Sequence, residues 1–112
     1  MVKIVDRSEL LVRVAGGREQ VTITLRGEID IATAPDFEER AMGVLRIGTA
    51  ELVIDLSQVT FLSSAGLSTL IRISREADRV GCALVVDNPS PLAMQVIRTT
   101  GLAETLSVRS VY

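Results

Sequence analysis

The sequence contains no histidine and no tryptophan, one cysteine and one lysine. Without histidine there is no imidazole metal ligand, no histidine general base and no Ser-His-Asp triad. One cysteine, Cys82, excludes a disulfide within the chain, and its place in the run Cys82-Ala83-Leu84-Val85-Val86 reads as a small core residue of a buried strand rather than a reactive thiol. Two Phe and one Tyr among 112 residues leave little for nucleic-acid bases to stack on, and a formal net charge of −2 gives no attraction to phosphate backbones. Nucleic-acid binding is therefore not expected. No apolar run approaches the ~18 residues that a membrane span requires, and the amino-terminal stretch lacks a signal-peptide core, so a soluble cytoplasmic chain without membrane insertion is expected.

What is present suits one compact domain over 1–112. The chain is 47% hydrophobic and 23% charged, enough to bury a core. Leu10 to Val14 and the alternating Val21-Thr22-Ile23-Thr24-Leu25 predict a hairpin around Gly16-Gly17, with Gly27 ending the second strand. Thr33-Ala34-Pro35-Asp36 predicts a helix start, with Thr33 as cap, Asp36 completing a capping box and Pro35 in the first turn. Phe37, Ala41, Val44 and Leu45 would form its apolar face and Gly48 its stop.

Leu52-Val53-Ile54, ending in Asp55, predicts a central strand covered on both faces. A second helix is expected over about 65–80, with Leu67, Leu70, Ile71, Ser74 and Ala77 inward, widened by Ile73 and Val80. Ala83 to Val86 predicts another buried strand, and Ser90-Pro91 opens a third helix with Leu92, Val96 and Ile97 inward. Leu102 to Val108 adds a short extended or turn segment. The order β-β-α-β-α-β-α-β implies an α/β domain with a mixed, mostly parallel sheet and crossover helices.

Phosphate-cradling glycine motifs are absent, so no nucleotide or other cofactor is expected to be held by the chain itself. Asp55, ending a central strand, invites comparison with the phosphoacceptor of a receiver domain. That chemistry needs further carboxylates for Mg²⁺ and a lysine; the first strand ends in Ala15-Gly16-Gly17 and the one lysine is Lys3, which excludes it.

The stretch Phe61-Leu62-Ser63-Ser64-Ala65-Gly66-Leu67 places two hydroxyls at a helix start. Serine oxygens accept from unpaired first-turn amides, so capping alone accounts for one of them. Small neighbours, Ala65 and Gly66, let a partner's backbone approach, and a helix N-terminus tolerates the ~1.5 to 2 negative charges of a phosphate. From the local sequence simple capping is the preferred reading; these features permit a phosphorylation switch and do not establish one.

The run from Leu52 to Leu67 resembles the signature of STAS domains, specifically bacterial anti-sigma factor antagonists. Leu25-Arg26-Gly27-Glu28-Ile29-Asp30 with Thr33-Ala34 resembles the family's second motif, and Asn88-Pro89 and Thr100-Gly101-Leu102 also fit. The resemblance covers nearly the whole chain in order. It implies a binding module, not an enzyme. In that family the unphosphorylated antagonist binds an anti-sigma factor that is also a serine kinase, freeing a sigma factor for transcription. The kinase, with its own ATP and Mg²⁺, phosphorylates a loop serine and the complex dissociates; a serine phosphatase resets the cycle. Position by position the acceptor is Ser64, with Ser63 the alternative. Ser63 stands where the family commonly has Asp, and the chain ends at Tyr112 where the family commonly continues into a final helix.

The loops after Leu25, Leu56 and Val86 are expected at one edge of the sheet, giving a partner face of Gly27, Glu28, Asp30, Thr33, Ser63, Ser64, Ala65, Gly66, Leu67, Asn88, Pro89 and Ser90, with no metal site. A second reading is an accessory STAS domain of a transport or stress-signalling assembly, acting by protein–protein interaction.

Overall fold

The computed structural model describes residues 10–110. The expectations for the amino-terminal stretch and for the end at Tyr112 concern residues outside that range. Elements follow the expected order: β1 Leu10–Gly16, β2 Gln20–Ile29, α1 Ala34–Ile47, β3 Glu51–Leu62, α2 Ser64–Val80, β4 Ala83–Asp87, α3 Pro91–Thr99 and β5 Val108–Arg109. They build one five-stranded sheet of order β1-β2-β3-β4-β5. β1 runs antiparallel to β2, and β2, β3, β4 and β5 run parallel.

Because the order is sequential, every right-handed crossover steps the same way and lays its helix on the same side of the sheet. Val21, Ile23 and Leu25 of β2 and Leu52, Ile54 and Leu56 of β3 point to that side. They share one core with Phe37 and Ala41 of α1, Leu70 and Ile73 of α2, and Ala93 and Ile97 of α3. Burying each Val, Leu, Ile or Phe among them stabilises the fold by roughly 1.5 to 3 kcal/mol before conformational entropy is counted.

The opposite face is polar. Its register aligns Arg13, Thr24, Asp55, Asp87 and Arg109 in one row across all five strands. Arg109 Nε meets Asp87 Oδ1 at 2.9 Å. β3 is thus not a strand covered by helices on both faces, as its continuous apolar run suggests. Val53, on the polar face between Thr22 and Val85, is 3% exposed yet stands outside the main core cluster.

Two strands outrun their expected ends. Gly27 does not end β2, which continues to Ile29, and β3 passes Asp55 to reach Leu62. The register slips between Thr24 and Arg26 and again between Gly27 and Glu28, each time with one extra residue on β3. Such bulges let the ladder continue while the strand bends, and Gly27, at φ 119°, takes a conformation a side chain would disfavour.

The helices also differ in detail. α1 buries Phe37, Ala41, Val44 and Leu45 as expected, with Ala34 added. The buried stripe of α2 is Gly66, Leu67, Thr69, Leu70, Ile73 and Ala77. Ile71 and Ser74 lie on its flank and Val80 is exposed, because the stripe follows Thr69, which packs toward α1. In α3 Leu92 is exposed and Ala93 takes the inward place, beside Ile97. Val86 alone in β4 is fully buried, since on the side away from β3 that strand borders only the two-residue β5. Cys82 lies just before β4, buried, and that burial pushes its thiol pKa up.

Candidate functional site

The carboxyl ends of β2 and β3 and the amino ends of α1 and α2 meet at one corner. The Ser63 N–H donates to Ile29 O at 2.9 Å, joining the β3–α2 turn to the end of β2. Gly66 completes the join. A Cβ built on it would lie 2.7 Å from Leu62 Cδ1, 2.8 Å from Ile29 Cγ2 and 3.2 Å from Ile29 O. Only glycine lets the first turn of α2 settle this closely onto the strand ends.

The two serines take different roles. Ser63 is the N-cap of α2, with extended backbone, and its Oγ accepts from Gly66 N at 3.3 Å. Ser64 is the first helical residue and exposed, and among the described residues its hydroxyl has no hydrogen-bond partner. There is no acidic residue in the first turn of α2, so nothing local offsets the positive end of the helix.

The neighbouring loop, 30–33, is held by its own side chains. Asp30 Oδ1 accepts from Ala32 N at 2.9 Å and from Thr33 N at 3.0 Å. The Thr33 hydroxyl donates to Glu28 O at 2.8 Å and accepts from Asp30 N at 2.9 Å. Thr33 therefore does not cap α1 with its side chain: its hydroxyl is already engaged behind the helix, and its backbone is in the right-handed helical region. Asp36 completes no capping box, its Oδ1 instead meeting Arg40 Nε at 3.3 Å. Asp30 closes the turn that precedes the helix, and among the described residues no side chain caps the first-turn amides of α1. Pro35 does occupy the first turn.

The third loop sits lower on the sheet. Ser90 N donates to Leu56 O at 3.0 Å. The Ser90 hydroxyl donates to Val59 O at 2.7 Å and accepts from Ala93 N at 3.2 Å, so Ser90 caps α3 as expected and is itself buried. Pro89 is buried beside it, and Asn88 takes φ 46°, with Oδ1 buried and unpartnered among the described residues. β3 thus runs past this loop by several residues, which places Asn88 to Ser90 below Ser63 and Ser64 rather than level with them. Gly27, Glu28, Asp30, Thr33 and Ser63 to Leu67 share the corner; Gly66 and Leu67 contribute from beneath its surface.

A groove of about 630 Å³ opens beside the corner between α1 and α2, with Ile31 at its mouth. Spacing in the sequence did not mark it, because its walls come from elements thirty residues apart. Glu38 and Arg72 close its floor through Nη2–Oε1 at 2.7 Å and two Nε contacts at 3.1 Å. Thr69, fully buried, donates to Glu38 and accepts from Arg72 at 3.1 Å. The guanidinium hydrogen bond holds the Glu38 carboxyl below its ordinary range. Among the described residues no cluster of carboxylates or thiols could hold a metal ion, and no helix is long and apolar enough to cross a membrane.

The family model described as "Mlab, STAS domain" matches residues 12–109. The chain belongs to the STAS domain family. Among curated relatives, the STAS domain is 26% identical over 97 residues to the anti-sigma-B factor antagonist of Bacillus subtilis, covering 87% of this chain and 88% of that protein. It is 39% identical over 67 residues to the anti-sigma-F factor antagonist RsfB of Mycobacterium tuberculosis, covering 60% of this chain and 55% of that one. Among solved structures, an anti-sigma factor antagonist from Mycobacterium paratuberculosis superposes with a TM-score of 0.81 at 29% identity, covering 95% of this chain and 90% of that one. SpoIIAA in its unphosphorylated form has a TM-score of 0.75 at 20% identity, with 90% of each chain covered, and shares the fold. These relatives and neighbours are anti-sigma factor antagonists.

Proposed function

We propose that this STAS domain is a phosphorylation-controlled anti-sigma factor antagonist of the cytoplasm. Unphosphorylated, it binds an anti-sigma factor that is also a serine kinase, and the sigma factor is released. The observation that carries this reading is the division between the serines. Ser63 Oγ is occupied as the cap of α2, whereas Ser64 Oγ is exposed and unpartnered at the same corner. Its relatives' names support the reading.

The chain supplies the nucleophile and the kinase supplies the rest. Ser64 Oγ attacks the γ-phosphorus of the kinase's Mg²⁺-bound ATP. The new O–P bond replaces the bond to the β-phosphate oxygen, ADP leaves, and the hydroxyl proton passes to a base on the kinase. A dianion then stands where the kinase surface had closed on a neutral hydroxyl. Desolvating that charge against a surface shaped for the neutral form weakens the complex, and it parts. Hydrolysis of the phosphoserine by a serine phosphatase restores the binding form. The domain is thus a substrate and a ligand rather than an enzyme, and the docking face is the corner formed by Gly27, Glu28, Asp30, Thr33 and Ser63 to Leu67, flanked by Asn88 to Ser90.

The test begins with capture on immobilised Ser64→Ala protein, followed by assay with the purified partner. A small ATP-binding protein that phosphorylates wild type and not Ser64→Ala, and that releases Ser64→Asp, is the expected result. Normal phosphorylation of Ser64→Ala sinks the assignment. Capture of a transporter ATPase instead supports the accessory-subunit reading.

A further inference from the structure

The groove between α1 and α2 is continuous with the serine corner, since Ile31 and Ala65 border both. Its chemistry is mixed in a specific way. Ile31, Pro35 and Met42 give it apolar walls, and Ile31 is 82% exposed. Two carboxylates face one cation: Glu38, Glu39 and Arg72. Arg72 is committed to Glu38 through its Nε and Nη2 atoms, whereas the exposed Glu39 carboxylate has no ion-pair or hydrogen-bond partner among the described residues. The groove therefore carries one uncompensated negative charge beside an apolar strip.

That combination selects its occupant. A free metal ion would find one available carboxylate, too few ligands to compete with water. A purely apolar segment would bury Glu39 without compensation. A lysine or arginine satisfies both parts, its methylene stem lying on apolar surface and its charged head reaching the carboxylate. The groove runs along α1 from Ala34 to Met42, about 12 Å at the helical rise, which matches about two turns of another helix.

We propose that this groove docks a basic amphipathic helix of the partner, with one lysine or arginine stem on Ile31, Pro35 and Met42 and its head on Glu39. The proposal rests on the partner-switching reading above and adds a contact that the serine does not touch. It gives the complex a second, charge-selective anchor that discriminates between partners.

The test measures dissociation constants for the purified anti-sigma kinase at low and moderate salt. The variants are Glu39→Lys, Glu39→Gln and Ile31→Ser, with Ser64→Asp alongside. Both groove positions substituted, Ile31 and Glu39, are exposed, and matching melting curves verify the fold. Glu39→Lys is expected to weaken binding at least tenfold, Glu39→Gln less and with a shallower salt dependence, and Ile31→Ser several-fold. Reversing the charge of one basic residue on the kinase should restore Glu39→Lys. If Ser64→Asp releases the kinase while Glu39→Lys and Ile31→Ser bind within twofold of wild type, the groove assignment falls and the switch stands. Loss confined to Ile31→Ser overturns the basic side chain. If Ser64→Asp binds as wild type, the switch falls and the groove assignment falls with it.

Discussion

The amide of Ser63 donates to the carbonyl of Ile29 at 2.9 Å, so the last residue of β2 holds the residue that caps α2. The serine corner is therefore set by a strand end, not by a free loop. Changes beneath it should be felt as loss of stability, and changes on it as loss of binding.

Gly66→Ala is the severest small change available at the corner. Its Cβ would meet Leu62 and Ile29 at 2.7 and 2.8 Å. Overpacking of this kind costs about 1–3 kcal/mol, so the urea midpoint should fall clearly while the slope stays unchanged. A midpoint equal to wild type would show that α2 can shift without penalty.

The two serines should separate in a stability assay. Ser63→Ala removes the cap and is expected to cost about 0.5–2 kcal/mol. Ser64→Ala touches no hydrogen bond and should stay within about 0.5 kcal/mol of wild type, as surface substitutions do. Equal losses in urea titrations would contradict the division of roles.

Thr33→Val keeps the shape of the side chain and deletes its hydroxyl. The Asp30 amide and the Glu28 carbonyl then lose a partner at 2.9 and 2.8 Å. Faster hydrogen exchange is expected at the Asp30 amide, with protection in the core of β3 unchanged. Uniform acceleration across the domain would mean that Thr33 supports global stability instead.

Glu38 ties α1 to α2 through Arg72, and the pairing lowers its folded pKa below the ordinary 4.5. A depressed carboxyl stabilises the fold above its unfolded pKa, and that contribution fades as the pH drops through the folded value. Wild type should therefore lose stability on acidification below about pH 4.5 more steeply than Arg72→Met, whose Glu38 has no guanidinium to lose. Parallel pH profiles between pH 3 and 7 would show that the exposed pair contributes nothing, as many surface pairs do.

The order of strands and helices was legible because each apolar run carries one dominant period. Gly48 and Gly81 closed α1 and α2 where expected. The strand ends were not legible, because Gly27 reads as a stop and functions as a bulge. Thr33 misled for a related reason: a capping residue is recognised by type, yet its hydroxyl goes to whichever partner the preceding turn presents. The one-sided sheet could not be seen in Leu52-Val53-Ile54, since Val53 is buried on the helix-free face as well, between Thr22 and Val85. At the corner, two hydroxyls at a helix start were legible in Phe61 to Leu67, while which of them caps α2 needed the position of the Gly66 amide. The α1/α2 groove left no trace in local spacing.

The last pair between β3 and β4 is Asp55 with Asp87, and β3 continues seven residues further, to Leu62. At about 3.3 Å per residue, less the slack of two bulges, the β3 tip carries the serines some 20 Å past the end of β4, with β2 paired beside it as far as Ile29. Ser64 is thereby presented as a headland rather than a bay. A partner enzyme can reach it from the β4 side without first unfolding anything, while β2 and the starts of α1 and α2 stand against it on the other.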